Sequence, residues 1–444
     1  MTDTIFALAS APGRAGVAVL RVSGPRAAAI LGSLAGGLPE PRRAALRALR
    51  GADGAVIDRG LVLWFPGPAS FTGEDCAEFH VHGGPAVIAA MADALSAAGA
   101  RPAEAGEFTR RAFEHGKLDL TEAEGLADLV DAETEGQRAQ ALAQLDGALK
   151  SLYEGWREEL IAILAAVEGE IDFPDEADVP EALSRTAAAP LESLIGALRD
   201  HLADDRRGER VREGFVIALI GPPNAGKSSL LNALARREAA IVTEIPGTTR
   251  DIVEVRQVRA GFPVILADTA GLREAADIVE AEGVRRALAR AQDADLRLGV
   301  LDVSRETSNE RAALLARLRP GDALVLNKTD LAAPPQIDVS EGVRVIALSV
   351  KAAEGLDALE AFLDETVLDR LGRREAPALS RARHRRAVEE ALAALERARE
   401  QLGRHPELAG ADLHLAVRAL ESLTGRIDVE DVLDRVFSQF CIGK

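Results

Sequence analysis

The amino-acid sequence predicts a multidomain protein that combines α/β and all-α parts. Three observations lead to this fold class. The chain has 444 residues, which is more than a single domain usually contains. Residues 213–374 alternate strand-like apolar runs with helical segments, as a doubly wound and mostly parallel sheet requires. Segments rich in Ala, Leu, Glu and Gln with helical spacing lie on both sides of that region.

The segments on either side divide into three parts. Residues 1–118 mix strand-like runs at 17–22, 61–65 and 77–81 with a helix-like run at 86–97, which predicts an N-terminal α/β domain. Residues 119–212 and 375–444 are predicted to form one helical domain into which residues 213–374 are inserted. Its first part reads as a long helix over 121–171, which Pro174 would end, and further helical patterns occur at 191–202, 380–402, 411–423 and 429–437.

The inserted segment opens with a phosphate-binding motif. The run from Gly221 to Ser229 matches G-x-x-x-x-G-K-[ST], and it lies between a strand-like run at 215–220 and a helix-like run at 229–235. A strand, a glycine-rich turn and a helix N-terminus together aim backbone N–H groups at one point, where anionic oxygens are stabilised. Lys227 would reach the β- and γ-phosphates, and the Ser228 hydroxyl would coordinate Mg2+.

A second motif selects the base. Asn327, Lys328 and Asp330 follow an apolar run at 323–326. A carboxylate at Asp330 can accept hydrogen bonds from N1–H and the exocyclic amine of guanine, whereas adenine has no matching pair of donors. Ser349-Val350-Lys351 follows a strand-like run at 343–348. The residues alone leave open whether it is a second contact with the base or an ordinary exit from a strand.

Two further motifs lie between these. Asp268-Thr-Ala-Gly271 follows the apolar run 264–267, so that Asp268 is placed to hold Mg2+ and the Gly271 N–H to reach the γ-phosphate. Gly247-Thr248-Thr249 precedes it and offers a hydroxyl to complete the Mg2+ shell. Four motifs in this order predict GTP binding.

The catalytic group of Ras-like enzymes is missing. Those enzymes orient the attacking water with a Gln directly after the Asp-x-x-Gly motif, but here the position is Leu272. The protein must hydrolyse GTP slowly or supply the missing groups elsewhere. A potassium ion on the Asn224 amide oxygen could neutralise the developing charge. By residue type alone, Asn224 could equally well satisfy only backbone groups of its own loop.

The two ends of the chain carry a resemblance. Besides the motifs above, the chain contains the segments Phe71-Thr-Gly-Glu-Asp75, His82-Gly-Gly-Pro85, Pro102-Ala-Glu-Ala-Gly-Glu-Phe108, Lys117-Leu-Asp-Leu120, Asp172-Phe-Pro-Asp-Glu176, Arg212-Glu-Gly214 and Phe440-Cys-Ile-Gly-Lys444. The motifs place the chain among the potassium-dependent GTPases of the translation-factor-related class. Together with these segments, they closely resemble the tRNA modification GTPase MnmE (TrmE) family over essentially the whole chain.

The resemblance implies an N-terminal domain, residues 1–118, that binds folate and dimerises, a helical domain and an inserted GTPase domain. It implies a homodimer that acts with an FAD-dependent MnmG-type partner on the wobble uridine of certain tRNAs. GTP hydrolysis would drive the addition of an aminomethyl or carboxymethylaminomethyl group to C5. The one-carbon unit would come from 5-formyltetrahydrofolate or a related tetrahydrofolate.

The resemblance also assigns roles to residues. The potassium ligands would be Asn224, Thr243, Ile245 and Thr248; Mg2+ would take Ser228 and Thr249 beside Asp268; and the folate contacts would be Arg21, Glu78, Lys117 and Lys444. Glu280 would orient the attacking water, acting with Lys227 and Asn224, although the family's frequent acid two residues earlier is Ile278 here. The residues expected to contact GTP are Asn224, Ala225, Gly226, Lys227, Ser228, Ser229, Thr243, Glu244, Ile245, Pro246, Gly247, Thr248, Thr249, Asp268, Thr269, Ala270, Gly271, Asn327, Lys328, Asp330, Ser349, Val350 and Lys351.

Composition bounds the partners and the compartment. The formal charge of −18 would repel a tRNA backbone, so tRNA binding must rely on local patches. The arginine-rich segment 370–386 is the candidate patch, and a solvated helix start explains it at least as well. The two cysteines, Cys76 and Cys441, argue against a disulfide framework. Cys441 is either a catalytic thiol or a structural residue that is buried or lies near the folate. The absence of a signal core and of long apolar stretches predicts a cytoplasmic chain without membrane segments.

Two other functions compete with this interpretation. The chain could be a GTPase switch for ribosome or RNA assembly, but such proteins usually carry an RNA-binding appendage such as a KH domain, and this C-terminus is helical. It could also be a folate-binding module with a vestigial GTPase, which the intact set of Lys227, Ser228, Asp268 and Asp330 disfavours.

Overall fold

The structure is a computed structural model that describes residues 3–172, 183–204, 206–237, 254–268, 294–372, 377–427, 430–438, 440 and 443. Its internal contacts divide the chain into two compact units. The first unit comprises residues 1–127, 144–195 and 390–444, and the second comprises residues 128–143 and 196–389. The three boundaries between the four segments expected from the sequence stay a prediction. No helix of the described residues is both long enough and apolar enough to cross a membrane.

The first unit begins with a six-stranded sheet in the order β3-β4-β5-β2-β1-β6, which is antiparallel except for the β1–β6 pair. Its strands are β1 Ile5–Leu8, β2 Ala15–Ser23, β3 Ala45–Arg50, β4 Val56–Phe65, β5 Cys76–Gly83 and β6 Arg101–Pro102. Helices α1 (Ala27–Ala35) and α2 (Pro85–Ala97) share a hydrophobic core with one face of this sheet. The N-terminal α/β fold predicted from the sequence is confirmed.

Helices follow the sheet: α3 Glu107–Glu114, α4 Leu120–Val130, α5 Glu135–Leu145, α6 Ala148–Asp172 and α7 Leu183–Leu202. The single long helix expected over residues 121–171 is therefore wrong. Thr134 and Gln137 start α5 with a reciprocal cap, in which Thr134 Oγ1 accepts from the Gln137 N–H and Gln137 Oε1 accepts from the Thr134 N–H. Gly147, at a φ of +86°, separates α5 from α6.

The C-terminal helices complete the helical part: α12 Ala382–Gln401, α13 Pro406–Thr424 and α14 Glu430–Phe437. Within the first unit α13 packs along α6, where Glu421 Oε1 accepts from Arg157 Nε at 2.7 Å. Phe437 on α14 packs against Phe113 on α3 with ring centroids 6.4 Å apart. Helices from before and after the inserted segment thus pack against each other.

The second unit contains a six-stranded sheet in the order β12-β11-β10-β7-β9-β8, parallel except for the edge strand β8. Its elements are α8 Arg207–Glu213, β7 Phe215–Ile220, α9 Lys227–Arg237, β8 Glu254–Arg259, β9 Phe262–Asp268, β10 Leu296–Asp302, α10 Ser308–Leu315, β11 Ala323–Asn327, β12 Arg344–Ala347 and α11 Leu356–Leu371. Strands β10 and β11 are buried along their whole length, as expected when helices cover both faces of a parallel sheet. The strand order reverses at β7, and ligands of such sheets bind beyond the carboxyl ends of the strands at that point. The doubly wound fold is confirmed.

Candidate functional site

The phosphate-binding motif forms a tight loop between β7 and α9. Gly221 lies so close to Val300 of β10 that a Cβ atom would collide with the Val300 carbonyl oxygen. Lys227 begins α9 and is buried, and its Nζ donates to the carbonyls of Gly221 at 2.8 Å and Pro222 at 2.9 Å. Burial lowers the pKa of the Lys227 ammonium, which the Asp268 carboxylate opposes. The loop therefore places the Lys227 ammonium beside the N-terminus of α9. This arrangement favours the binding of phosphate oxygens.

Two of the expected magnesium ligands meet beside this loop. Asp268 ends β9 and pairs in register with Leu219 of β7. Its Oδ2 accepts a hydrogen bond from Ser228 Oγ at 2.6 Å. A hydroxyl and a carboxylate are hard oxygen ligands of the kind that Mg2+ prefers, so this pair fits the metal.

The guanine motif is tied directly to the phosphate loop. Asn327 ends β11 and is buried, and its Nδ2 donates to the Ala225 carbonyl at 2.9 Å. Its Oδ1 accepts from the backbone N–H groups of Lys328 at 2.8 Å and Val350 at 3.3 Å. Asn327 thus joins three loops. A Cβ on Gly226 would collide with Asn327 Nδ2, which explains the glycine at this point of the motif.

Lys328 makes a second link between the two loops. Its Nζ donates to the Asn224 carbonyl at 2.9 Å and to Asp302 Oδ2 at 2.6 Å. Sequence reasoning missed Asp302. The available signal was its place directly after the apolar run of β10, because the carboxyl ends of parallel strands meet at one edge of the sheet.

Ser349 contacts the carboxylate that is expected to bind guanine. Ser349 is fully buried, and its Oγ donates to Asp330 Oδ1 at 2.6 Å. Asp330 itself is exposed at the end of its loop, as are Ser229 and Lys351. The hydrogen bond fixes the orientation of the Asp330 carboxyl group, so Ser349 supports the residue that is expected to contact guanine.

The N-terminal sheet brings two of the expected folate contacts together. Arg21 on β2 and Glu78 on β5 are register partners, and Glu78 Oε1 accepts from Arg21 Nη2 at 3.0 Å and Nε at 3.1 Å. Glu78 Oε2 lies 3.1 Å from His80 Nε2. The Arg21 guanidinium also lies over the Phe71 ring, 5.5 Å from its centroid. The Arg21 guanidinium and the Glu78 carboxylate therefore lie next to each other on the same face of two adjacent strands, β2 and β5.

Lys117 belongs to the same region of the domain. Its Nζ donates to the Pro68 carbonyl at 3.0 Å, and a Cβ on Gly73 would lie 3.7 Å from its Cδ. Lys117 thus lies beside the loop that carries Phe71. The sheet face that holds Glu78 and His80 also carries exposed apolar side chains, namely Leu61, opposite His80 and 42% exposed, and Leu46, 69% exposed.

The arginine-rich segment 370–386 is partly neutralised by carboxylates. Arg381 Nη2 lies 2.7 Å from Asp128 Oδ1. Arg385 pairs with Asp204 and Glu209, each at 2.9 Å. These contacts favour the structural explanation of the segment over a patch for tRNA phosphates.

Some expected site residues lie outside the described residues. They are Thr243, Glu244, Ile245, Pro246, Gly247, Thr248, Thr249, Thr269, Ala270, Gly271, Glu280, Cys441 and Lys444.

Comparison with known proteins decides the family. The family model described as the MnmE helical domain matches residues 120–441, and the model described as the GTP-binding protein TrmE N-terminus matches residues 4–117. The chain is 66% identical to the tRNA modification GTPase MnmE of Maricaulis maris over 100% of both chains. The chain belongs to the MnmE family.

Another MnmE protein is similar over its full length, and a solved structure is similar over part of the chain. The MnmE protein of Caulobacter vibrioides is 55% identical, again over 100% of both chains. Among solved structures, the G domain of the T. maritima FeoB iron transporter is similar at 25% identity with a TM-score of 0.26, covering 34% of this chain and 98% of that one. The full-length matches to MnmE proteins mean that the family's N-terminal and helical parts and the GTPase motifs occur together in this chain.

Proposed function

We propose that this chain is a potassium-dependent GTPase of tRNA modification, which works in the cytoplasm as a homodimer with an FAD-dependent MnmG-type partner. In this proposal GTP hydrolysis drives the addition of an aminomethyl or carboxymethylaminomethyl group to C5 of the wobble uridine of certain tRNAs. A tetrahydrofolate supplies the one-carbon unit. Membership of the MnmE family, whose curated relatives are named tRNA modification GTPases, supports the general activity.

One observation carries the nucleotide part. Lys227, the Ser228–Asp268 pair and the Asn327–Lys328 motif all lie at the carboxyl ends of β7, β9 and β11. They offer a cation and N–H groups for phosphates, oxygen ligands for Mg2+, and a carboxylate at Asp330 for guanine. When bound, Mg2+ neutralises charge on the phosphate oxygens.

The potassium requirement rests on Leu272 and Asn224. Leu272 cannot orient water, so fast hydrolysis needs other groups, one of which would stabilise the charge that develops on the phosphates. Asn224 has a left-handed backbone, with a φ of +63°, and its carbonyl is held by Lys328. In the proposal, its side-chain amide oxygen is available to a monovalent cation, together with Thr243, Ile245 and Thr248.

GTP turnover in equal concentrations of KCl and NaCl tests this requirement. We expect turnover to be at least about tenfold faster in KCl, and Asn224→Ala to abolish the difference. The control is Asn232→Ala, which removes an exposed amide from α9 and should keep the potassium effect. Equal rates in the two salts for the unaltered chain would refute the cation model.

The proposed folate site rests on the contacts of Arg21, Glu78 and Lys117. The proposed contact of Lys444 and a role for Cys441 are supported only by the resemblance to the family. A guanidinium suits the glutamate tail of a folate, and a carboxylate suits the donor pattern of its pterin. Arg21 and Glu78 form a salt bridge with each other. A folate must therefore either bind alongside that salt bridge or break it. Calorimetry with 5-formyltetrahydrofolate tests the site. Arg21→Met should abolish binding, while Arg50→Met, on the edge strand β3, should not.

Mass spectrometry of tRNA nucleosides tests the biological assignment. Cells that lack the protein should lose the wobble-uridine modification, and the unaltered gene, but not a Lys227→Ala variant, should restore it. An unchanged modification in the deleted cells would favour the alternative function, a GTPase switch in ribosome or RNA assembly, and would leave the GTPase assignment intact.

A further inference from the structure

Asp302 is the last residue of β10, at the carboxyl end of the strands where the phosphate loop and the guanine loop contact each other. Its register partner on β11 is Asn327, the first residue of the guanine motif. The residue is 7% exposed. No motif of the sequence includes this carboxylate, and it lies within reach of both loops.

The two oxygens of Asp302 have different partners. Oδ1 accepts from the Ser304 N–H at 3.0 Å and from Ser304 Oγ at 2.6 Å, and Oδ2 accepts from Lys328 Nζ at 2.6 Å. Burial acts to raise the pKa of the Asp302 carboxyl, but the hydrogen bonds from Lys328 and Ser304 outweigh it and hold that pKa below its usual value. The carboxylate is thus fixed in orientation and charged.

The Lys328 ammonium transmits this constraint to the phosphate loop. One of its N–H groups points at Asp302 and another at the Asn224 carbonyl, which leaves one of its three donors for a ligand. Lys328 and Asn224 both have left-handed backbones, with φ values of +66° and +63°. Such conformations are uncommon outside glycine and persist where the surroundings hold them.

We infer that Asp302 is a positioning residue that sets the affinity for guanine nucleotides by holding the Lys328 ammonium against the Asn224 carbonyl. The inference rests on the proposed GTP site. Asp302 acts through Lys328 and not through the base carboxylate, because Asp330 has its own support in Ser349. It therefore affects how tightly a nucleotide binds and not which purine is chosen.

Asp302→Asn tests the inference, because it keeps the shape of the side chain and an acceptor for Ser304 while removing the charge. We would measure the Kd of GDP and of inosine diphosphate, which lacks the exocyclic amine, by calorimetry on the full chain with Mg2+. Both Kd values should rise by about three- to thirtyfold, the range expected for a charge-assisted hydrogen bond with a partly exposed lysine. The ratio of the two values should stay as in the unaltered chain.

A matched control lies four residues along the chain. The Glu306 carboxylate has a similar side-chain exposure, 7% against 10% for Asp302, and it pairs with Arg311 Nη2 at 2.7 Å. Glu306→Gln should leave both Kd values within about twofold of the unaltered chain, since its side-chain partner, Arg311, belongs to neither nucleotide loop. In a Lys328→Met background, Asp302→Asn should have no further effect on GDP binding, because the two residues act as a unit.

The possible outcomes separate the two proposals. Failure of the unaltered chain to bind GDP would defeat the proposed function. Normal binding by the unaltered chain with an unchanged Kd in Asp302→Asn would overturn the inference alone. A collapse of the GDP preference over inosine diphosphate in Asp302→Asn would overturn it too, because the residue would then act through Asp330. If Asp302→Asn melts more than about 10 °C early, Ser304→Ala replaces it. That variant removes the Oγ hydrogen bond that orients Oδ1 but keeps the Ser304 N–H bond and the charge, so the GDP Kd should rise by about two- to threefold, and an unchanged GDP Kd in it would overturn the inference.

Discussion

Arg111 on α3 pairs with three carboxylates in the first unit, and its substitution tests how much a buried ionic cluster contributes to the stability of that unit. The side chain is fully buried. Its Nη1 lies 3.0 Å from Glu74 Oε2, and its Nη2 lies 3.1 Å from Glu107 Oε1 and 3.0 Å from Asp3 Oδ1. The perturbation is Arg111→Met, which keeps the length of the side chain and removes its charge.

The expected cost follows from what each carboxylate retains. Asp3 is 45% exposed, so water can solvate it. Glu107 keeps two hydrogen bonds from Arg101, at 2.9 and 2.6 Å, and one from the Glu104 N–H. Glu74 is 11% exposed and keeps the Ser23 hydroxyl. Breaking a buried pair on one side costs about 3–5 kcal/mol. With Asp3 and Glu107 compensated, we expect a loss of about 3 kcal/mol, mostly at Glu74.

Intrinsic fluorescence measures this loss selectively. The chain has two tryptophans, Trp64 and Trp156, and both lie in the first unit, so urea unfolding followed by fluorescence reports on that unit. In the Arg111→Met background, Glu74→Gln should recover most of the lost free energy of unfolding, whereas Glu107→Gln should recover little.

The neighbouring arginine provides the control. Arg110 is 35% exposed on its side chain and pairs at the surface with Glu114 and Asp434. Arg110→Met should therefore cost no more than about 1 kcal/mol. A loss below about 1 kcal/mol in Arg111→Met, or equal recovery by the two glutamine substitutions, would refute the reasoning.

Three further predictions concern the second unit. Burial lowers the pKa of His201 from 6.5 to about 4, so the native state favours the neutral ring. The free energy of unfolding should therefore be unaffected by this residue above pH 6.5 and should fall by up to about 3 kcal/mol as the pH decreases toward 4. Thermal melts should show a flatter pH dependence in His201→Gln, and identical slopes would contradict this. Ser349→Ala should raise the Kd of GDP by about tenfold and weaken its preference over inosine diphosphate, because Asp330 loses its support; calorimetry with both nucleotides checks this, and an unchanged ratio argues against it. Gly226→Ala should abolish GDP binding while circular dichroism stays native, since its Cβ would collide with Asn327; retained binding would show that the loop can adjust.

The strand, loop and helix around the phosphate-binding motif were predictable because the motif is local. The phosphate loop, its strand and its helix are continuous in sequence, so the spacing from Gly221 to Ser228 already implies their geometry. The error over residues 121–171 had a signal too, since Thr134 and Gln137 form a capping pair that marks a new helix start. Helical periodicity continued across the break and concealed it.

Contacts set by tertiary pairing could not be predicted in the same way. Arg21 and Glu78 meet because β2 and β5 pair in one register, and a shift of a single residue would turn one of them to the other face. Asp302 and Lys328 meet because β10 and β11 are adjacent parallel strands. In each case the residue type alone does not distinguish these charges from those on a protein surface. Only the order of the strands shows that they are partners.

The direct contacts between the loops have a thermodynamic consequence. Asn224 carries the proposed potassium ligand on its side chain, and its carbonyl is held by Lys328 of the guanine motif. The cation site and the nucleotide site therefore share a residue whose conformation both must favour. Coupling of binding free energies is reciprocal, so if potassium lowers the Kd of GDP by some factor, GDP must lower the Kd of potassium by the same factor. GDP titrations at several potassium concentrations measure that factor, and Asp302→Asn should reduce it, because it loosens the Lys328 ammonium that connects the two loops to β10.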